Sequence, residues 1–352
     1  MSGLRLVVAG AAAGVWGFHG PAIAELGAEV VGVYDPNDEG ARRRGEELGC
    51  PVAPTLEALL ALDADAAVVL APHLHHAAVA GACLRSGLHV LVEKPLTVSL
   101  AEGEQLVAEA ERCDRLLAVA FQQRTRTEIG EARRLIAGGV LGELQRVVLV
   151  AAWPRRSSYF ASAPWRGTWA GEGGGVLVNQ GPHDLDLLCL LAGLPTRVVA
   201  RTRTALHPIE TEDTAAALLE WSDGALGSLH VSTAEADEPQ RIELTGTAGR
   251  LRIRHGSLEL WRNEDDMRDW VKGPGNPYEP PVTGGPLVFS GEPGSHTQLY
   301  RNLAAALAGT EPLVASGRSA LAEVELASAL LLSGRLGREV TLPLEREGAA
   351  AG

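Results

Sequence analysis

Short apolar runs alternate with helical patterns through the first third of the chain. The runs are rich in Val, Leu and Ala and lie at residues 4–9, 29–35, 65–71, 89–95 and 115–121. Helical patterns separate them at residues 37–48, 55–61, 74–86 and 99–112. Strands that are apolar at successive positions are buried on both faces, as in a parallel sheet that helices cover. The pattern therefore predicts an α/β unit, a doubly wound Rossmann domain that binds a dinucleotide, over residues 1–122.

The pattern changes after a helical stretch at about 125–138. The next segments are longer and alternating or β-rich, at residues 144–153, 196–206, 213–221, 225–233, 240–246 and 250–261. They favour a large, open, mostly antiparallel sheet with helices on one face. Residues 263–295 are rich in Gly and Pro and are expected to form a long loop before two helices at 296–308 and 317–334. We therefore expect an α+β domain for substrate binding and oligomerisation over residues 123–352.

Composition excludes several classes of protein. The 352 residues carry a formal net charge of −13, which argues against binding along a nucleic-acid backbone. The apolar runs stay shorter than the ~18 to 20 residues that a membrane span requires. The four cysteines have neither CxxC nor metal-ligand spacing. We therefore expect a cytoplasmic protein with no nucleic-acid or membrane partner.

A glycine-rich segment, Gly10-Ala-Ala-Ala-Gly14-Val-Trp-Gly17, lies between the first strand and the first helix. In dinucleotide-binding domains a G-x-G-x-x-G fingerprint here lets the pyrophosphate approach a helix N-terminus. Aligned on the last two glycines, the first fingerprint position is Ala12, so the match is imperfect, and an ordinary strand-to-helix turn is the alternative. The second strand ends at an acid, where a carboxylate meets the cofactor ribose. The predicted cofactor contacts here are Ala12, Gly14, Val15, Trp16 and Asp35.

Asp35 also bears on the choice of cofactor. Its carboxylate would repel the 2′-phosphate of NADP and would accept hydrogen bonds from the ribose of NAD. Arg42, Arg43 and Arg44 on the next predicted helix could bind that phosphate or could form a solvated helical face. We expect NAD, with NADP as the less favoured cofactor.

Three further segments carry a family resemblance. Glu93-Lys94-Pro95 closes the run at 89–95, Ala71-Pro72-His73-Leu74-His75-His76 follows the run at 65–71, and Asn179-Gln-Gly-Pro-His183-Asp-Leu-Asp186 lies in the second domain. Together with the glycine turn, they resemble the Gfo/Idh/MocA family of oxidoreductases over essentially the whole chain. The resemblance implies hydride transfer between a nicotinamide cofactor and a secondary alcohol, or the corresponding ketone, of a sugar, sugar derivative or cyclitol.

The resemblance also implies roles for single residues. The family's E-K-P lysine falls on Lys94, its catalytic histidine on His183, and a substrate-contacting acid on Asp186. The carboxylate that often lies four residues before the histidine is Asn179 here, which can orient a histidine but cannot stabilise an imidazolium by charge. Ala71 and His73 stand where the family has Thr and Asn. The implied cofactor contacts are Ala71, Pro72, His76, Glu93 and Lys94.

Oxidation of an alcohol needs a proton acceptor as well as a hydride acceptor. A histidine titrates near neutral pH without much tuning, so we assign His183 as the general base and Lys94 as a hydrogen-bond donor to the substrate oxygen, with the reverse possible. Only Lys94 and Lys272 are lysines among 31 basic residues, and an ammonium can release a proton whereas a guanidinium cannot. The alternatives are that Lys94 only pairs with Glu93 and that His183 only caps a helix.

Candidate substrate contacts lie in aromatic and basic segments of the second domain. Trp165 and Trp169, beside Arg166 in a glycine-rich stretch, could stack on sugar C–H faces or could pack in the core. Arg124 follows the last Rossmann strand, where substrates are expected in this architecture. Three arginines would suit an anionic substrate, such as a nucleotide sugar or sugar acid, unless they are only solvated surface: Arg155, Arg156 and Arg166.

Other interpretations stay open. The cluster of His73, His75 and His76 could be taken for metal ligands, but no Cys or carboxylate completes a ligand set, so no metal is expected. The same fold could retain NAD and cycle the hydride within one turnover, giving net glycoside cleavage or elimination. It could also be a non-catalytic sensor of NAD and sugar. The open face of the antiparallel sheet needs covering, so we expect a homodimer or homotetramer.

Overall fold

The computed structural model describes residues 3–236 and 240–345 and separates into two units by its internal packing. Unit 1 holds the residues up to 122 together with 170–173 and 295–324. Unit 2 holds residues 123–169, 174–294 and those from 325 onwards. Unit 2 is therefore interrupted in sequence by residues 170–173 and 295–324 of unit 1. Residues 295–324 cluster with unit 1 because Tyr300 and Leu303 are buried in its core.

The first part of the chain, in unit 1, contains β1 (Arg5–Ala9), α1 (Trp16–Leu26), β2 (Glu29–Tyr34), α2 (Asp38–Leu48), α3 (Leu56–Leu60), β3 (Ala66–Val69), α4 (His76–Arg85), β4 (His89–Val92), α5 (Leu100–Arg112) and β5 (Leu117–Val119). The rest of the chain contains α6 (Thr127–Ala137), β6 (Leu144–Ala152), α7 (Ser157–Phe160), α8 (Trp169–Glu172), α9 (Pro182–Ala192), β7 (Arg197–Arg203), β8 (Thr214–Glu220), β9 (Leu226–Ser232), β10 (Arg241–Gly246), β11 (Gly249–Arg254), β12 (Ser257–Asn263), α10 (Met267–Trp270), β13 (Thr283–Ser290), α11 (His296–Leu307), α12 (Gly317–Leu336) and β14 (Val340–Thr341). Across residues 3–236 and 240–345, none of the helices combines the length and apolar character that crossing a membrane demands.

Unit 1 is built on a parallel sheet. Its five strands lie in the order β2-β1-β3-β4-β5, and every neighbouring pair is parallel. Leu6 and Val8 of β1 belong to one apolar cluster, and Val7 and Ala9 belong to another. The strand is thus buried on both faces, which is why its sequence is a continuous apolar run. The predicted Rossmann sheet is confirmed.

Unit 2 is built on a sheet of nine strands in the order β13-β12-β11-β10-β6-β9-β8-β7-β14. Neighbouring strands are antiparallel except for β6 and β9, which run parallel. Buried and less buried residues alternate along β7 to β11. The inward residues share one apolar core with α6, α9 and α12. The predicted open, mostly antiparallel sheet is confirmed.

Two expectations for this sheet are wrong in detail. Residues 250–261 lie in a hairpin of β11 and β12 rather than in one strand, and Gly256 in its turn has a left-handed φ of 74°. Residues 263–295 are not one loop, because α10 and the edge strand β13 lie within them. β13 is exposed at nearly every position, so its sequence lacks the apolar alternation that marks a strand.

Candidate active site

Gly10 makes the sharp turn that follows β1. Its φ of 92° is left-handed, and a Cβ there would lie 2.6 Å from backbone atoms of Leu70 and Ala71, so only glycine fits. An added Cβ at Gly14 or Gly17, the glycines that match the fingerprint, would meet no atom within 4 Å. Both residues are exposed. This stretch of backbone is therefore open to a ligand, as a cofactor site requires.

Asp35 follows β2 and holds the glycine turn in place. Its Oδ2 accepts a hydrogen bond from the backbone N–H of Ala12 at 2.9 Å, and its Oδ1 accepts one from the backbone N–H of Asn37 at 2.8 Å. These bonds fix the carboxylate at the end of β2, where the ribose binds in a Rossmann fold. The contacts of Asp35 and of the half-buried Val15 with a cofactor stay predictions.

Trp16 belongs to the core of unit 1. Its side chain is 4% exposed, and the guanidinium of Arg44 lies 4.7 Å from the centre of its ring. Arg44 Nε also donates a hydrogen bond to the carbonyl of Ala11 at 3.1 Å. The ring is thus covered, and the expected contact of Trp16 with the cofactor stays a prediction. Arg44 is buried as well, whereas Arg42 and Arg43 are exposed.

His76 joins the two turns that were expected to contact the cofactor. Its Nδ1 lies 2.7 Å from the carbonyl oxygen of Pro95, and its Nε2 lies 2.8 Å from that of Ala71. Burial lowers the pKa of His76, although both bonds oppose this shift. A neutral imidazole has a single N–H, so the ring donates to one of these two carbonyls at a time. The contact of His76 with a cofactor stays a prediction. Pro72, which follows Ala71 in the first of these turns, is exposed.

Glu93 belongs to a buried network that the sequence does not reveal. His19 Nε2 lies 2.8 Å from Glu93 Oε1, and His19 Nδ1 lies 2.8 Å from the hydroxyl of Tyr300. His296 Nε2 is 3.8 Å from the same Glu93 oxygen, and Glu93 Oε2 accepts a hydrogen bond from the Lys94 backbone N–H at 3.1 Å. Burial acts to raise the pKa of Glu93, but the two histidines and the Lys94 charge hold it well below its usual value. An ionised carboxylate therefore anchors the turn of the half-buried Lys94.

The same side chains form a group that could hold a metal ion. His19, Glu93 and His296 offer ligand atoms within 4.8 Å of one another. Hydrogen bonds with Glu93 and Tyr300 already engage both nitrogens of His19, so this hydrogen-bond network accounts for the grouping. Sequence reasoning missed His19, His296 and Tyr300 because they lie up to 281 residues apart and share no motif of fixed spacing.

His183 lies in the first turn of α9 and is partly exposed. The next residue, Asp184, is buried and accepts hydrogen bonds from Trp153 Nε1 at 2.6 Å and from Gln240 Nε2. Burial raises the pKa of Asp184 to about 7, against these donors and the charge of Arg126. The predicted catalytic histidine therefore directly precedes a buried acid whose pKa is raised to about 7.

Arg124 and Asp186 form a buried ion pair in unit 2. Arg124 Nε donates to Asp186 Oδ2 at 2.8 Å, and Arg124 Nη2 donates to Oδ1. The two residues are 6% and 1% exposed. Burial raises the pKa of Asp186, although the guanidinium opposes this shift. The pair ties α9 to the segment that precedes α6, and the expected contacts of both residues with substrate stay predictions.

Three residues predicted for the site meet around a fourth, Tyr159. Three side-chain N–H donors lie within hydrogen-bond distance of the Tyr159 hydroxyl: Arg166 Nη1, Asn179 Nδ2 at 3.1 Å and Gln180 Nε2 at 3.2 Å. The Arg166 guanidinium lies 4.3 Å from the centre of the Tyr159 ring and 4.5 Å from that of Trp165. We call Tyr159, Arg166, Asn179 and Gln180 the donor cluster. The structure thus brings Trp165, Arg166 and Asn179 together.

Trp169 is placed differently from Trp165. It begins α8 with 50% of its surface exposed, and its backbone N–H donates to Glu210 Oε2 at 3.2 Å. Its stacking on a sugar stays a prediction.

Sequence reasoning missed Tyr159 and Gln180. Gln180 could have been found, because it directly follows the predicted site residue Asn179 in the same segment.

Comparison with known proteins identifies the class. Residues 4–121 match a family model described as the oxidoreductase family with an NAD-binding Rossmann fold, and residues 129–252 match the GFO/IDH/MocA C-terminal domain. The chain belongs to the Gfo/Idh/MocA oxidoreductase family. It is an NAD-binding dehydrogenase or reductase, as the motifs around Lys94 and His183 predict.

Individual relatives resemble the chain over most of its length. A protein of Amycolatopsis mediterranei, named as a UDP-kanosamine synthase oxidoreductase subunit, is 32% identical over 247 residues, which cover 64% of this chain and 68% of the relative. D-apiose dehydrogenase of Paraburkholderia graminis is 28% identical over 338 residues, covering 92% and 86%. The crystal structure of the WlbA dehydrogenase from Chromobacterium violaceum, with NADH and UDP-GlcNAcA, matches with a TM-score of 0.85 at 26% identity, covering 98% of both chains.

Proposed function

We propose that the chain is an NAD-dependent oxidoreductase that transfers hydride between nicotinamide and a secondary alcohol, or its ketone, of a sugar, sugar derivative or cyclitol. One observation carries this proposal: the buried carboxylate of Glu93, which is hydrogen-bonded to His19, anchors the backbone turn that carries Lys94. A lysine on so constrained a turn is suited to meet a reacting group at a fixed position. Family membership supplies the class of reaction.

The chain's own residues would manage the proton. NAD, when bound, supplies the hydride acceptor, and the open backbone of Gly14 and Gly17 and the Asp35 carboxylate would hold it. His183, partly exposed in the first turn of α9, accepts the proton of the reacting hydroxyl as general base. The Lys94 ammonium donates a hydrogen bond to the substrate oxygen and stabilises the negative charge that develops there.

Asn179 has a positioning role in this proposal. Its amide donates to Tyr159, and being neutral it cannot stabilise the imidazolium of His183 by charge. Asp186 is engaged by Arg124. Because Asn179 is neutral, we assign the onward relay of the proton from His183 to Lys94 or to the neighbouring acids Asp184 and Asp186.

NAD is the proposed cofactor rather than NADP. Asp35 lies where a 2′-phosphate would meet its charge, and Arg44 is turned inward onto Trp16 and Ala11. We expect kcat/KM to be higher with NAD than with NADP. A change of Asp35 to Ala should narrow this preference, and an unchanged ratio would contradict the assigned role of Asp35.

Turnover of a substrate panel tests the proposal. UDP-N-acetylglucosamine, UDP-N-acetylglucosaminuronic acid, D-apiose and myo-inositol are each incubated with NAD, and nicotinamide absorbance and product mass are followed. We expect NADH to form with at least one of them. Product without net absorbance change would point instead to an enzyme that retains NAD through a cleavage or elimination. The absence of any product would contradict the proposal.

We also propose that the chain forms a homodimer or homotetramer through the outward face of the unit 2 sheet. Val199 and Leu218 are cross-strand partners on β7 and β8, and they are 36% and 67% exposed. Leu226 on β9 is 61% exposed. Light scattering on Leu218→Asp should show a smaller assembly than the wild type, whereas a monomeric wild type would contradict this proposal.

A further inference from the structure

Three side-chain N–H donors converge on the single hydroxyl oxygen of the donor cluster. A phenolic oxygen accepts two hydrogen bonds and carries a hydrogen of its own. N–H groups of Arg166, Asn179 and Gln180 all point at the Tyr159 hydroxyl. The cluster therefore suits a ligand group that brings several acceptor atoms.

Arg166 is the most constrained of these donors. Its guanidinium contacts two aromatic rings, whose centres lie 4.3 Å away for Tyr159 and 4.5 Å away for Trp165, and these cation–π contacts restrain it. Its Nε is buried and has no hydrogen-bond partner within the described part of the chain. The protein thus leaves part of the hydrogen-bonding capacity of this guanidinium unused.

The cluster is cationic in an acidic protein. The chain has 44 acidic and 31 basic residues, so arginines have abundant carboxylates to pair with. Arg155 lies 5.4 Å from the centre of the same Tyr159 ring. Over residues 3–236 and 240–345, neither Arg155 nor Arg166 has a carboxylate within 4 Å. Two cations without a carboxylate partner, beside two amide donors, attract an anion.

We propose that the donor cluster binds an anionic group of the substrate, a carboxylate or a phosphate. This rests on the proposed function, because the anion is assigned to the sugar that is oxidised or reduced. Asn179 and Gln180 precede α9, and His183 lies in its first turn. The anion and the reacting hydroxyl would therefore bind to one short segment of unit 2, and the substrate class narrows to sugar acids, sugar phosphates and nucleotide sugars.

Equilibrium binding tests this proposal without requiring turnover. Calorimetric titration of the NAD-saturated enzyme, at constant ionic strength, compares D-glucuronate, D-glucose 6-phosphate and D-glucose. Arg166→Gln removes the guanidinium, and Arg166→Lys keeps the charge but not the planar fork. Arg133→Gln is the matched control, because Arg133 is an exposed arginine of α6 in unit 2. Thermal unfolding and NAD affinity report whether each variant is folded.

We expect an anionic sugar to bind about tenfold or more tightly than glucose, and Arg166→Gln to weaken it by about 10- to 100-fold, as for a charge-assisted hydrogen bond. Arg166→Lys should weaken the binding of the anionic sugar less, and Arg133→Gln should leave it unchanged. The preferred anion distinguishes a carboxylate from a phosphate. Equal affinity for all three sugars, or an equal loss for glucose in Arg166→Gln, would overturn the proposal. If anionic sugars bind selectively but no hydride is transferred, the proposed function is wrong, while the proposed anion site stands.

Discussion

The imidazole of His19 lies 2.8 Å from the carboxylate of Glu93, and both groups are buried. On its other side His19 contacts the hydroxyl of Tyr300, and Glu93 accepts a hydrogen bond from the backbone of Lys94. The proposed catalytic lysine is thus positioned by residues from α1 and α11, far away in sequence. Buried hydrogen-bonding groups are costly to leave unpaired, so this network should contribute to the stability of unit 1.

Removing the Tyr300 hydroxyl tests that contribution. Tyr300→Phe leaves the buried Nδ1 of His19 without its partner, and we expect the free energy of unfolding to fall by about 1–3 kcal/mol. Tyr278→Phe is the control, because Tyr278 is 93% exposed. Urea unfolding followed by fluorescence measures both. Equal stability of the two variants would show that the Tyr300 bond contributes nothing.

Glycine substitutions separate a conformational need from ligand access. Gly10→Ala places a Cβ 2.6 Å from backbone at a φ of 92°, and we expect a loss of about 1–3 kcal/mol or more. Gly14→Ala meets no atom within 4 Å, so it should fold normally while weakening NAD binding. Thermal midpoints and NAD titration distinguish the two effects. Normal stability of Gly10→Ala would contradict the described turn.

The raised pKa of Asp184 makes the free energy of unfolding depend on pH. Its pKa of about 7 in the folded state exceeds the unfolded value near 3.9, so between these values the folded state binds the extra proton. Stability is therefore lost as the pH rises from about 4 to about 7, by up to about 1.4 kcal/mol per pH unit. Asp184→Asn should lack this slope, whereas Asp265→Asn, at an exposed position, should retain it. Parallel pH profiles of wild type and Asp184→Asn would refute the assignment.

A double-mutant cycle tests the buried pair of Arg124 and Asp186. Removing either partner leaves an uncompensated buried charge, so Arg124→Met or Asp186→Leu should each cost about 3–5 kcal/mol. The double variant should cost much less than the sum. The exposed pair of Arg134 and Glu131 is the control, with an expected coupling below about 1 kcal/mol. Additive losses for the buried pair would mean that the two side chains act separately.

Elements with a buried face could be predicted from the sequence. β1 and β3 are apolar at successive positions because both of their faces are covered, and β10 alternates because only one is. β13 could not be predicted, because it is an edge strand that is exposed at nearly every position. The turn at Gly256 was missed because a single His-Gly step interrupts an otherwise continuous pattern.

Site residues could be predicted only as far as motifs extend. Lys94 and His183 lie in short motifs that resemble those of the family, and neighbouring residues in these motifs could be predicted together with them. The sequence could not show that Asp186 is engaged by Arg124, because burial of both partners depends on the packing of α9. Nor could it show His19 beside Glu93, since a lone histidine in a helix carries no pattern.

The catalytic role of His183 is the central claim, and steady-state kinetics with the best substrate of the panel test it most directly. For His183→Asn, kcat should fall by about 10²- to 10⁴-fold, the usual contribution of a general base, with NAD affinity and thermal stability unchanged. A folded His183→Asn enzyme that keeps the full wild-type rate would contradict the account.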